Sequence, residues 1–275
     1  MDLDELELQK LREKAKKIRR DIIAMIYHRQ SGHPGGSLSI VEILISLYYK
    51  KMKIDPNNPR WEDRDRFILS KGHCAPALYA VLADLNFFPP EYLLNSYRSI
   101  NGCLQGHPDM KKTPGIDMTS GSLGIGLSVA CGMALGARIK KQNFQVHVLI
   151  GDGETNEGQI WEAAKTAAHY KLDKITAFID LNGLQNDGPT QQEMSMECLA
   201  DKWKSFNWHV LEIDGHDFVQ ILKAIDEAEA IKDKPSVIIC RTIKGKGVSF
   251  MENQLKFHGT PPSREEFQKA LAELS

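Results

Sequence analysis

The sequence carries no excess charge of either sign. Its 35 Lys and Arg oppose 36 Asp and Glu, a formal net charge of −1, so nothing electrostatic points to nucleic acid. It has no apolar run as long as a membrane span. Its charged start, MDLDELELQKLREKAKKIRR, lacks the apolar core of a secretory signal. The five cysteines, Cys74, Cys103, Cys131, Cys198 and Cys240, form no CxxC pair and no zinc spacing. Such a set fits free thiols in a reducing compartment, and a cytoplasmic location is expected. There is no internal repeat, low-complexity tract or linker. With 42% apolar and 26% charged residues, the chain reads as a single domain, 1–275, with a sizeable core.

What the sequence does contain is an alternation of strands and helices. Leu8, Leu11, Ala15, Ile18, Ile22 and Met25 recur every three or four positions and predict a helix over 4–29. Proline and three glycines in SGHPGGS (31–37) predict a tight loop, with Ser37 or Ser39 capping a helix over 40–50. Strands are expected at 66–69, 146–150, 175–181, 208–213 and 235–243. Helices are expected near 75–85, 91–97, 121–140 and 218–231, after Gly153, in part of 193–206, and from 263. This order implies an α/β fold, a doubly wound parallel sheet with helices on both faces. On the helix at 121–140, Gly124, Ser128, Gly132 and Gly136 fall in one row. The row serves either tight internal packing or a subunit contact.

The stretch 151–188 organises the rest. Two strands flank a helix, a βαβ unit whose ligands gather at strand C-termini. Asp152 and Asn182 stand at those ends, and their hard oxygens suit Mg²⁺ or Ca²⁺ better than zinc. The glycines around Asp152 let backbone approach a bulky anion. Five of the nine histidines, His33, His73, His107, His216 and His258, sit in Gly- or Pro-bearing loops, where chemistry is usually placed. His28, His147, His169 and His209 fall inside elements and read as packing or surface residues.

Gly-Asp-Gly, 28 intervening residues (154–181) and then Asn182 resembles the thiamine diphosphate (ThDP) motif. Seven segments in order, SGHPGGSLS, DRFILSKGHCAPALYAVLA, QGHPD, TSGSLGIGLSVACGMALG, GDGETNEGQIWEAA, IDLNGLQ and HGTPP, resemble the amino-terminal part of transketolase. The resemblance runs from about His28 to Pro262 and implies the ThDP-binding fold, diphosphate-binding domain. It implies that Asp152, Asn182 and the Leu184 carbonyl hold Mg²⁺, with Ca²⁺ or Mn²⁺ as possible substitutes. It implies that His73, Gly121, Ser122, Leu123, Gly153, Asn182, Lys244 and His258 serve ThDP. His33, His107 and His258 would line the substrate channel as catalytic residues. Glu157 would lie on the cofactor side near a partner contact, with a part in proton relay between two sites. Helix N-termini at Gly121 and Gly153 would add phosphate donors.

The same resemblance implies ketol transfer between sugar phosphates. It also implies a partner, a C-terminal transketolase subunit carrying the pyrimidine-binding domain and its activating glutamate, in an assembly with two copies of each chain. Rival readings are a deoxyxylulose-phosphate synthase-like subunit, the α subunit of a 2-oxo acid dehydrogenase, and a non-catalytic ThDP/Mg²⁺-binding module. A dinucleotide-binding dehydrogenase is disfavoured, because GSLGIG (121–126) only imitates the fingerprint and no strand precedes it.

Overall fold

The computed structural model describes residues 3–275. Helix α1 (Glu5–Arg29) begins where the Asp4 carboxylate accepts the Glu7 N–H at 2.7 Å. Short helices α2 (Pro34–Leu38) and α3 (Val41–Ser46) follow. Then come β1 (Arg66–Leu69), α4 (Ala75–Asp84), α5 (Tyr92–Asn95), α6 (Gly126–Lys140) and β2 (Val146–Gly151). Helix α7 (Gly158–His169), β3 (Ile175–Leu181), α8 (Thr190–Glu193), α9 (Leu199–Ser205) and β4 (His209–Asp214) continue the alternation. It closes with α10 (Phe218–Ala230), β5 (Ser236–Arg241) and α11 (Arg264–Glu273), the last opened by a Ser263–Glu266 capping box.

The strands form one parallel sheet in the order β1-β2-β3-β5-β4. Because every pair is parallel, all five C-termini open on one edge. Side chains alternate between two cores. Phe67, Leu69, Leu149, Phe178 and Ile238 pack with α1, α3, α4 and α10. Ile68, Val148, Ile150, Ile179 and Ile239 pack with α6, α7 and α9 on the other face. The expected helices on both faces are present.

Three local expectations need correction. The 31–37 segment is a loop only as far as His33, and Pro34 then opens α2 at a position where its missing N–H costs nothing. Neither Ser37 nor Ser39 caps α3. Both are buried, and their hydroxyls donate inward, Ser37 to the His33 carbonyl at 2.7 Å and Ser39 to Asp180 Oδ2 at 2.8 Å. The helix expected from 121 begins only at Gly126, because Gly124 has φ +86 and breaks the helical path. The row of small residues divides: Gly124, ahead of α6, abuts Glu157 and Ser128 accepts from Gln159 at 3.2 Å, whereas Gly132 and Gly136 are open. A Cβ at Gly132 or Gly136 would meet nothing within 4 Å.

No helix among the described residues is long and apolar enough to cross a membrane.

Candidate functional site

The C-terminal edge of the sheet opens into a cleft of about 360 Å³. Lys71 and His73 enter it just beyond β1, Asp152 and Gly153 beyond β2, Asn182 and Leu184 beyond β3, and Lys244 beyond β5. His33 arrives from the turn before α2, and His258 from a single 3₁₀ turn, Leu255–His258. Gly121 and Leu123 form its rim.

Three imidazoles face one another. Ring centroids of His33 and His73 are 5.1 Å apart, those of His33 and His258 5.6 Å, and those of His73 and His258 5.4 Å. Burial, then the positive charge of Arg98, holds His33 down to about 4. Burial, then Lys244, holds His258 down to about 3, and burial with Lys71 keeps His73 well below the ordinary value. All three are neutral at neutral pH. His33 Nδ1 is buried with no partner. His258 Nδ1 lies 2.8 Å from Lys244 Nζ. An ammonium can only donate, so the His258 proton is on Nε2. Lys244 is itself pushed down to about 8, by burial and then by Lys71.

The acidic side is built differently. Asp180, fully buried on β3, accepts from Lys71, Ser39, Thr242 and the Asn182 amide. Asp152 accepts the Gly153 N–H at 2.8 Å and the Gly183 N–H at 2.6 Å, while Lys71, whose charge it feels, is paired with Asp180. Burial, then the charge of Asp180, pushes the Asp152 carboxyl up to about 6. Glu154 ties two strand ends to the turn before α6. It accepts from Ser70, from the Gly124 N–H at 2.9 Å and from the Gly151 N–H at 3.0 Å.

These residues fit a metal-bridged diphosphate. Asp152 is a buried carboxylate short of positive charge, which a divalent cation would supply. Asn182 Oδ1 and the Leu184 carbonyl accept from the Leu184 N–H and from Lys244, and each retains a further lone pair. Oxygen donors of this kind suit Mg²⁺, Ca²⁺ or Mn²⁺. No group of three or more His, Cys, Asp or Glu among the described residues could hold a metal by itself. The amide, carbonyl and phosphate oxygens would therefore complete the shell.

The cleft gathers most of the residues singled out in the sequence. His216 and three residues to which the resemblance gives a role stand apart from its lining. His107 is exposed, with its ring beside Gly121, and Ser122 is exposed on the turn. Glu157 is exposed at the start of α7, and its Cβ would lie 2.7 Å from a Cβ at Gly124. The expected helix N-terminus at Gly121 is a turn. The N–H groups of Gly121, Ser122 and Leu123 make no hydrogen bond among the described residues, so they remain free to meet an anion. Gly153 opens only a 3₁₀ turn, and its N–H is taken by Asp152.

Sequence reasoning missed Lys71, Asp180 and Glu154. The available signal was a charged residue inside or just past an otherwise apolar strand, which burial tolerates only with a partner.

The fold and the cleft define a ThDP-binding α/β protein of the transketolase type. Residues 11–274 match the family described as "Transketolase, thiamine diphosphate binding domain", and the chain belongs to that family. It is 48% identical to the 6-deoxy-6-sulfo-D-fructose transketolase subunit SqwG of Clostridium sp. (strain MSTE9), over 96% of both chains. It is 40% identical to an apulose-4-phosphate transketolase subunit of Phocaeicola vulgatus, over 100% of this chain and 95% of that one. The crystal structure of transketolase from Campylobacter jejuni superposes with a TM-score of 0.89 at 30% identity, covering 100% of this chain and 43% of that one. The chain thus spans nearly all of the named subunits and less than half of a single-chain transketolase.

Proposed function

We propose that the chain is the diphosphate-binding subunit of a transketolase built from two kinds of chain. It would transfer a two-carbon ketol unit from a ketose phosphate to an aldose phosphate, and would act only with a partner carrying the pyrimidine-binding domain. The observation that carries this reading is the meeting of Asp152, Asn182 and Lys244 with three neutral imidazoles in one cleft at the sheet's C-terminal edge. Two relatives of nearly the same length are themselves named as transketolase subunits, which supports a split enzyme.

In this reading Asp152, Asn182 and the Leu184 carbonyl hold Mg²⁺. Lys244, Gly153, His73 and the Gly121–Leu123 turn hold the diphosphate. When bound, ThDP supplies the nucleophile and electron sink for C–C cleavage. The chain's own part is binding, orientation and proton handling. His258, with its proton on Nε2, can donate to a sugar oxygen. His33, neutral and lining the cleft, can accept a hydroxyl proton. His107 stands at the rim, where an incoming sugar would pass. Exposed Glu157 is placed for the partner contact, in an assembly of two copies of each chain.

A second donor class is favoured by one observation, since the relative sharing 48% identity is named for a sulfonated ketose. Co-purification with the product of a neighbouring reading frame, followed by a ThDP-dependent assay, tests the proposal. Ketol transfer is expected from xylulose 5-phosphate or 6-deoxy-6-sulfofructose, and none from pyruvate. Full turnover by this chain alone would remove the partner requirement. Turnover of pyruvate only would favour the synthase-like reading.

A further inference from the structure

His216 lies outside the cleft, yet it touches the backbone next to Lys244. We propose that His216, oriented by Glu42 and Arg19, is a positioning residue that presets Lys244 for the anion in the cleft. This rests on the reading of Lys244 as a diphosphate contact.

Hydrogen-bond direction fixes the tautomer of the ring. The Ile243 N–H donates to His216 Nε2 at 2.9 Å. A backbone N–H cannot accept, so Nε2 is bare and the ring proton sits on Nδ1. Nδ1 is 3.0 Å from Glu42 Oε2 and donates to it. Glu42 is held in turn by both terminal nitrogens of Arg19, at 2.7 and 2.9 Å. Arg19 Nε then donates to the Lys246 carbonyl at 2.8 Å. One network thus grips the loop at Ile243 and again at Lys246, with Lys244 between.

The approach depends on Gly215. A Cβ there would lie 2.5 Å from Thr242 Cγ2 and 2.9 Å from Cys240 Cβ, forcing the His216 turn away from β5. Between the two grips, the Lys244 carbonyl accepts from the Asn253 N–H at 2.8 Å and the Gly245 N–H donates to the Gly35 carbonyl at 2.9 Å. The side chain of Lys244 is long and flexible, so the backbone beneath it decides where its ammonium falls. That ammonium points at the Leu184 and Gln185 carbonyls and at His258.

The test uses the whole chain as His216→Leu and His216→Gln. Hydrogen exchange of the 243–247 amides is followed without cofactor, and ThDP affinity with Mg²⁺ is measured by calorimetry. In His216→Leu, exchange at 243–247 should quicken about tenfold or more while β2 and β3 keep wild-type protection, and affinity should fall about five- to twentyfold, the size of a lost buried hydrogen bond. In His216→Gln, the side-chain oxygen can accept from Ile243, and both readouts should return to within about threefold of wild type, a residual smaller than one hydrogen bond. Wild-type exchange and affinity in His216→Leu would overturn the proposal. So would faster exchange across the whole sheet that His216→Gln fails to correct. If the wild-type chain does not bind ThDP, the reading of the cleft fails, and the exchange data alone decide whether His216 holds the Lys244 backbone.

Discussion

Glu42 and Asp152 are both buried carboxylates, at 6% and 4% exposure, and their surroundings differ in kind. Glu42 meets a guanidinium and an imidazole N–H inside the protein. Burial works to raise it, but Arg19 and His216 outweigh burial and hold it down to about 2. Asp152 has only backbone N–H donors of its own, and it rises to about 6 through burial and the charge of Asp180. The first network is complete within this chain. The second is short of a cation, and the shortage falls in an open cleft beside unpaired N–H groups and neutral histidines. Taken together with that geometry, the two directions separate a carboxylate whose charge is met within the chain from one whose charge is not.

The largest effect expected is on the complete network. Glu42→Ala would leave Arg19 buried without its partner and should lower stability by about 3–5 kcal/mol, measured by urea unfolding. In wild type the pH dependence has a definite sign. The folded pKa lies below the ordinary 4.5, so the unfolded chain binds more protons in the acid range. The stabilisation is complete above about 4.5 and is lost as the pH falls through about 2. Glu42→Ala should lack this component, and an unchanged acid limb in the variant would assign it elsewhere.

The unfinished site should respond in binding. Asp152→Ala should weaken ThDP by at least about a hundredfold at ordinary Mg²⁺, since loss of a metal ligand costs no less than loss of a group behind one. Calorimetry reads this, and equal affinity in variant and wild type would remove Asp152 from the metal site. His258→Ala should separate binding from chemistry. With the partner present, turnover should drop by about a hundredfold, the low end for a proton-transfer group. ThDP affinity should stay within about threefold, because Lys244 and the metal ligands remain. The smallest effect is expected on α6. Gly132→Ala, into open space on a helix, should stabilise the isolated chain by about 0.5–1 kcal/mol. Destabilisation of the isolated chain would show that something in the chain covers that face.

How far the sequence could be read depended on whether the signal was local. The strands were legible because β-branched runs such as Val146–Ile150 and Ile175–Leu181 end at glycines or Asn-Gly, and α1 because its apolar stripe is regular. The cleft was legible where chemistry-bearing residues sit in loops, as with His33, His73 and His258, or at strand ends, as with Asp152 and Asn182. Asp180 was hidden because a carboxylate pointing inward from a strand looks like any alternating polar residue until its partner is known. Lys71, its partner, is 109 positions away in the chain. Arg19, Glu42 and His216 come from α1, α3 and the turn after β4, and no spacing rule joins them. The Gly121 turn reads as a helix start because Ser122, Leu123 and Ile125 are compatible with a helix, whereas the deciding φ of +86 at Gly124 has no local signal beyond the glycine itself, and a Cβ there would lie 2.7 Å from Glu157 Cβ.

Completion of the cleft by a divalent cation shared with a diphosphate is tested most directly by calorimetry. The wild-type chain is titrated with ThDP, once in Mg²⁺ and once in a chelator. Saturable binding with Mg²⁺ that disappears in chelator is the predicted result. Equal affinity in both solutions would contradict it.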